Sequence, residues 1–123
     1  MTTGQMIRII NGHLADIRAL AINQNNQLIS GSYEMIYVWN MESGQLIKSI
    51  IAHDEWIFTL IINNENEIIS GSSDNTIKIW NTTTNQLRLK LTQHSRDINS
   101  MIINNKNELI TGSNDNFIKI WNM

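Results

Sequence analysis

Trp39, Trp80 and Trp121 stand 41 residues apart, and each closes a near-copy of one phrase: SGSYEMIYVWN, SGSSDNTIKIWN and TGSNDNFIKIWN. His13, His53 and His94 recur upstream at intervals of 40 and 41 residues. The segments 53–81 and 94–122 are identical at 18 of 29 positions, so the similarity extends well beyond the motif residues. A period of this length makes the chain an array of one supersecondary unit, stable only because neighbouring units bury each other's apolar faces.

The unit is built of strands. In the second copy the apolar runs are Ile57–Ile62, Glu67–Ser72, Thr76–Trp80 and Gln86–Leu91. They are broken by Asn63-Asn64-Glu65-Asn66, Ser73-Asp74-Asn75 and 81–85, rich in residues that tolerate or locally bond a turn. The β-branched runs are too short for helices. Leu60-Ile61-Ile62 and Ile68-Ile69 are apolar on successive residues, which predicts burial on both faces of the sheet. A four-stranded sheet covered on both sides by sheets like itself is a propeller blade. In Leu87-Arg88-Leu89-Lys90-Leu91 the charges alternate outward, as suits an outer rim.

Composition narrows the function. Of 123 residues, 41% are hydrophobic and 16% charged, which is a globular balance. A formal charge of −2 argues against a nucleic-acid or anionic-membrane partner, since phosphate recognition needs clustered cations. No apolar run is long enough to span a membrane as a helix, and the N-terminal stretch lacks a signal-peptide core. Zero cysteines exclude disulfides and thiolate metal sites and fit a reducing compartment, with the cytosol as the expected setting. The glycosylation triplet Asn81-Thr82-Thr83 is read as chance in a chain rich in Asn and Thr.

The repeat resembles the WD-repeat β-propeller family over the whole chain. The matching elements are Gly12-His13, Ala52-His53 and Gln93-His94; then Ile17/Leu20/Ile22, Ile57/Leu60/Ile62 and Ile98/Met101/Ile103. Ser30-Gly31-Ser32, Ser70-Gly71-Ser72 and Thr111-Gly112-Ser113 follow, and a Trp-Asn ending stands where the family more often has Trp-Asp. The resemblance implies a buried hydrogen-bond chain in each blade. The second unit supplies His53, Ser70, Asp74 and Trp80, and the third His94, Thr111, Asp115 and Trp121. The first has His13, Ser30 and Trp39, but it is one residue short before the Trp, with Glu34 where Asp is expected. Its blade is expected to be the loosest.

A His, a Ser and an Asp in one unit suggest a hydrolase triad. The set recurs from blade to blade, which folding requires and catalysis does not, so the expected role is structural. Histidines 40 residues apart do not have zinc-site spacing, and no glycine loop cradles phosphate. No enzymatic activity, metal or cofactor is expected. The positions that vary between copies are more informative: Asp16/Trp56/Asp97, Arg18/Phe58/Asn99 and Tyr33/Ser73/Asn114. In propellers similar to this repeat such positions ring the channel mouth. They are the expected contact face for a protein or peptide.

The expected architecture is all-β: three four-stranded antiparallel WD-type blades in a single array, 1–123. Blade 1 covers 11–50, blade 2 covers 51–91, and blade 3 covers 92–123 plus an N-terminal strand at 5–10. Closed propellers have four to eight blades, so three would close only as an oligomer or within a longer chain. A homodimer of six blades, each N-terminal strand completing the other chain's last blade, is the favoured assembly. Two functional readings follow. One is a non-enzymatic interaction scaffold; the other is a self-assembly unit, or a fragment of a larger protein, whose main contact is blade against blade.

Overall fold

The computed structural model describes residues 2–123 and contains ten strands and no helix. They are β1 (Ala19–Ile22), β2 (Leu28–Gly31), β3 (Tyr33–Trp39), β4 (Leu46–Ile62), β5 (Ile68–Ser72), β6 (Ile77–Asn81), β7 (Gln86–Leu91), β8 (Ile98–Ile103), β9 (Glu108–Ser113) and β10 (Ile118–Asn122). Every pairing is antiparallel between sequence neighbours, so the chain meanders.

Strands β1 to β7 form one seven-stranded sheet, and β8 to β10 a second of three. The large sheet holds two blades because β4 is 17 residues long. Its first half pairs with β3 as the rim of blade 1, through Ile36↔Ile50 and Val38↔Lys48. Its second half pairs with β5 as the inner strand of blade 2, through Leu60↔Ser70 and Ile62↔Ile68. The blade boundary therefore lies inside a strand rather than in a loop.

The first turn of each blade repeats in chemistry as well as length. Asn63 Oδ1 accepts the backbone N–H groups of Glu65 and Glu67, and Asn23 and Asn104 do the same two and four residues onward. Asn26, Asn66 and Asn107 follow at φ 59°, 61° and 61°. Asparagine tolerates this left-handed conformation better than branched residues, which is why these turns are asparagine-rich.

Packing alternates across each sheet. Ile68 faces blade 1, where it joins Ile29, Ile36, Val38, Ile57 and Leu60 in one apolar cluster. Its neighbour Ile69 faces blade 3, joining Ile77, Ile79, Ile98, Met101 and Leu109 in another. Adjacent apolar residues thus serve two cores, as the sequence pattern predicts for a doubly covered sheet.

Blades approach one another over glycine. A methyl group at Gly71 would lie 2.7 Å from Ile98 Cγ2 and 2.8 Å from Thr59 Cγ2, and one at Gly31 would lie 2.8 Å from Ile57 Cγ2. These are β-branched groups with few alternative rotamers, so they cannot swing away.

The segment 5–10, expected to complete a last blade of another copy, pairs with no strand within this chain, where residues 2–18 form none. The outer edge of β3, which such a segment could join within blade 1, is taken by β4. The edge of β10 lies at the opposite end of the array. Residues 5–10 instead rest near the turn at Gly44, with Arg8 Cδ 3.5 Å from the position of a Gly44 Cβ. Among the described residues blade 3 has the three strands β8 to β10, its outer strand not being supplied by this chain.

Replacing Gly71 with Ala is expected to cost about 1–3 kcal/mol through overpacking, read as a lower denaturant midpoint with an unchanged slope.

Candidate protein-interaction face

Each blade is braced by polar groups that its own burial makes necessary. Trp80 Nε1 donates to Ser70 Oγ at 3.0 Å, and that hydroxyl lies 2.7 Å from His53 Nε2. His53 Nδ1 lies 2.8 Å from Asp74 Oδ2. A carboxylate only accepts, so His53 Nδ1–H donates to Asp74, Nε2 accepts from the Ser70 hydroxyl, and that oxygen in turn accepts the Trp80 N–H. Blade 3 repeats the chain. Trp121 Nε1 donates to Thr111 Oγ1 at 3.0 Å, and His94 sits 2.8 Å from Thr111 and 2.7 Å from Asp115.

The acids gain more than they lose by burial. Burial alone would raise the Asp115 carboxyl, but hydrogen bonds from His94 and from the backbone N–H groups of Phe117 and Ser95 lower it to about 2. Burial also opposes the charge on Asp74, and hydrogen bonds from His53 and Thr76 overcome it to hold the group well below the usual carboxylate range.

Blade 1 differs at its shortened turn. Trp39 Nε1 donates to Ser30 at 2.7 Å and His13 Nε2 lies 2.5 Å from the same hydroxyl, yet His13 Nδ1 is buried without a partner. Glu34 has φ 64°, matching Asn75 at 72° and Asn116 at 71° rather than the aspartates before them. The deleted residue is therefore the acid itself, and Glu34 occupies the left-handed slot of the asparagine. His13 packs edge-on to Tyr37, ring centroids 4.5 Å apart, and burial lowers its pKa.

The nine varying positions fall into two groups and one outlier. Tyr33 is paired in register with Trp56, and their rings meet edge-on at 5.3 Å. The Arg18 guanidinium lies 5.2 Å from the centroid of the Trp56 ring and 3.6 Å from Asp16. Ser73 joins this group through its backbone N–H, which donates to the Trp56 carbonyl at 2.9 Å. The second group is in blade 3: Asn114 N–H donates to the Asp97 carbonyl at 3.1 Å, and Asn99 Nδ2 donates to Asn114 Oδ1. Phe58 is half-buried on β4 and makes no ring contact with the Trp56 group.

A strand hydroxyl anchors these positions to the framework. Ser32, Ser72 and Ser113 donate to the carbonyls of Asp16, Trp56 and Arg96 respectively. Sequence reasoning missed the acids around Tyr33. Glu55 raises the Tyr33 phenol above its ordinary value, followed by burial and then by Glu34 and Asp54. The available signal was the pair Asp54-Glu55 just after His53, where the other copies have Leu14-Ala15 and Ser95-Arg96. Among the described residues no group of three or more His, Cys, Asp or Glu is placed to hold a metal.

Meandering antiparallel blades stacked through apolar faces and braced by Trp–hydroxyl–His–Asp chains define a partial β-propeller. The chain belongs to the WD40 family: its model, "WD domain, G-beta repeat", matches residues 4–40, 44–81 and 85–122. The crystal structure of the RRP9 WD40 repeats is similar at a TM-score of 0.86 and 22% identity, covering 94% of this chain and 38% of that one. The structure of U3-55K gives the same four values. The WD40 β-propeller domain of Doa1 is similar at a TM-score of 0.82 and 25% identity, over 88% of this chain and 37% of that one. The chain thus spans less than two-fifths of each of these structures. No curated protein matches it in sequence.

Two outcomes test the bracing chains. Ser70→Ala strands the Trp80 N–H and the His53 ring nitrogen and is expected to cost about 1–3 kcal/mol for each group, measured by urea unfolding. Because the Asp115 pKa is depressed on folding, its contribution is complete above the unfolded value of 3.8 and is lost as pH falls toward about 2. Stability should fall over that window, and Asp115→Asn should flatten the decline.

Proposed function

We propose that the chain is a non-enzymatic interaction scaffold that binds a peptide or protein domain on the face carrying Trp56, Tyr33 and Arg18. The observation that carries this reading is the contrast between frame and face. Framework residues recur because each blade solves the same packing problem, whereas the aromatic–guanidinium cluster forms once, where Arg18 and Tyr33 of the first copy meet Trp56 of the second. Tryptophan, tyrosine and arginine are the residues most enriched at binding hot spots, because they combine large apolar area with a polar handle. The WD40 fold is in general a platform for protein interaction, and a rigid frame lowers the ordering cost of presenting such a cluster.

The surrounding charge suggests what the ligand carries. Asp16, Glu34, Asp54 and Glu55 outnumber Arg18 around the aromatic rings, so a segment with an apolar anchor beside a cationic side chain fits best. Phe58, Asp97, Asn99 and Asn114 flank this group in the proposed face and adjust fit rather than supply the anchor. The same charge balance leaves nucleic acid and anionic membrane as unsuitable partners. A cytosolic setting accords with a chain that has no cysteine.

The test is selection of displayed peptides on the wild-type chain, followed by affinity measurement with Trp56→Ala and Phe58→Ala. Trp56→Ala should keep the wild-type melting temperature and weaken the selected peptides about 30-fold or more, the loss typical of a hot-spot residue. Phe58→Ala should have a smaller effect. Peptides that bind both variants as tightly as wild type would place the contact surface elsewhere.

A further inference from the structure

We infer that the cavity between blades 1 and 2, at the strand ends opposite Trp56, is a binding site for a small oxyanion of the phosphate type, held by Lys48, Gln27 and Asn25. The cavity has a volume of about 210 Å³. The buried side chains of Ile29 and Val38 line it together with the polar groups of Asn25, Gln27, Lys48 and Thr83. It lies beside the β1–β2 turn and the segment that follows β6, away from the aromatic cluster.

Comparison of the blades shows what is particular to this place. Glu67 follows the turn asparagine of blade 2 by four residues, and Arg88 on the rim strand grips it through Nε at 2.6 Å and Nη2 at 2.9 Å. Acid and cation cancel there. In blade 1 the acid's position holds Gln27 and the arginine's holds Ile47. A cation stands one residue further on, at Lys48, opposite Val38 on the face turned to blade 2. The same place in blade 2, opposite Ile79, is Leu89. This face of blade 1 therefore lacks the carboxylate and keeps a positive charge.

The surroundings of that charge fit an anion. Lys48 is half-buried, and its ammonium donates to the Thr82 carbonyl of blade 2. Among the described residues no carboxylate lies within ion-pair distance of it. Burial lowers its pKa, an effect that a bound anion would offset. An ammonium has three N–H donors, and two remain after the bond to Thr82. Gln27 Oε1 accepts from Asn23 Nδ2 at 2.8 Å, and Asn25 Oδ1 accepts from Asn66 Nδ2 at 2.7 Å. The amide N–H groups of Gln27 and Asn25 are thereby left as donors. Three donor side chains around one positive charge suit a ligand that only accepts, with oxygens on several sides. A tetrahedral oxyanion has that shape, and a planar carboxylate does not.

The walls are fixed across the two blades. Gln24 N–H donates to Asn66 Oδ1 at 2.7 Å, and Gln24 Nε2 donates to the Asn63 and Asn64 carbonyls at 3.3 and 3.0 Å. Thr82 Oγ1 donates to the Asn66 carbonyl at 3.2 Å. The next interface does not repeat this clamp, since Asn107 Oδ1, the counterpart of Asn66 Oδ1, is buried without a partner. Walls held in this way lose little freedom when a ligand binds.

The site shares no residue with the Trp56 face and is tested apart from it, by calorimetric titration of the full chain with inorganic phosphate at low ionic strength. A direct titration is used because phosphate strengthens burial in any protein through exclusion from its surface. Saturable binding of one phosphate per chain is expected, with acetate binding more weakly. Lys48→Leu and Gln27→Glu each bring in the residue that blade 2 carries at the same place, so both should keep the β-sheet circular dichroism. Each should weaken phosphate binding about tenfold or more, the first by removing the charge and the second by setting a carboxylate beside it. Trp56→Ala should bind phosphate as the wild type does. Methyl phosphate separates the sources of the anion: tighter binding than phosphate assigns the site to a phosphoryl group on a larger molecule, and weaker binding assigns it to the free ion. Absence of saturable phosphate binding, a folded Lys48→Leu chain that binds phosphate as tightly as wild type, or a preference for acetate would overturn the inference.

Discussion

Everything in this molecule depends on one sheet lying flat against the next. A blade of four short strands has too little apolar surface to stand alone, so it is held by the neighbour that covers it. The contact is made close by glycines opposite isoleucines, and the interior is filled by β-branched residues whose rotamers are few. The polar bracing follows from this closeness. A tryptophan and a histidine driven between sheets bring N–H groups that must be paired, and a hydroxyl and an aspartate complete the chain.

The binding reading grows from the same constraint. Because the frame is dictated by packing, the loops at one end of the strands are the part of each copy left free to differ. There the chain places an arginine, a tryptophan and a tyrosine in contact, drawn from three separate segments. Where the frame is weakened, the cause is local: blade 1 has lost the acid of its turn, and His13 keeps one unpaired nitrogen while leaning on Tyr37.

Much of the fold was legible in the sequence, and the reasons are physical. The runs at Ile57, Glu67, Thr76 and Gln86 are short, β-branched and bounded by turn residues; the structure places β5, β6 and β7 within a residue of the last three and ends β4 at Ile62, where the first run ends. The bracing residues were legible because a buried N–H restricts what may sit beside it. Three features were not. Strand β4 runs through Ala52–Trp56 because the rim of one blade and the inner strand of the next share a direction, and no residue there signals continuity. Glu34 was read as a substituted acid, but a deletion moves the backbone, and only φ shows which slot remains. The contact of Arg18 with Trp56 arises from how sheets stack, which lies beyond any single strand's pattern.

The unbroken strand β4 divides the molecule unevenly. Blades 1 and 2 meet in β4, where residues 46–51 pair with β3 and residues 57–62 with β5, so their two ladders are joined end to end by one extended strand and the Tyr33–Trp56 pair. Blade 3 has a ladder of its own and is joined to blade 2 by side-chain packing and by the connection from Leu91 to Ile98. Cooperative units follow continuous ladders and the cores they enclose. The chain thus behaves as a two-blade block carrying a lighter leaf, and the leaf is the first element to lift in the spontaneous openings that let backbone amides exchange with water.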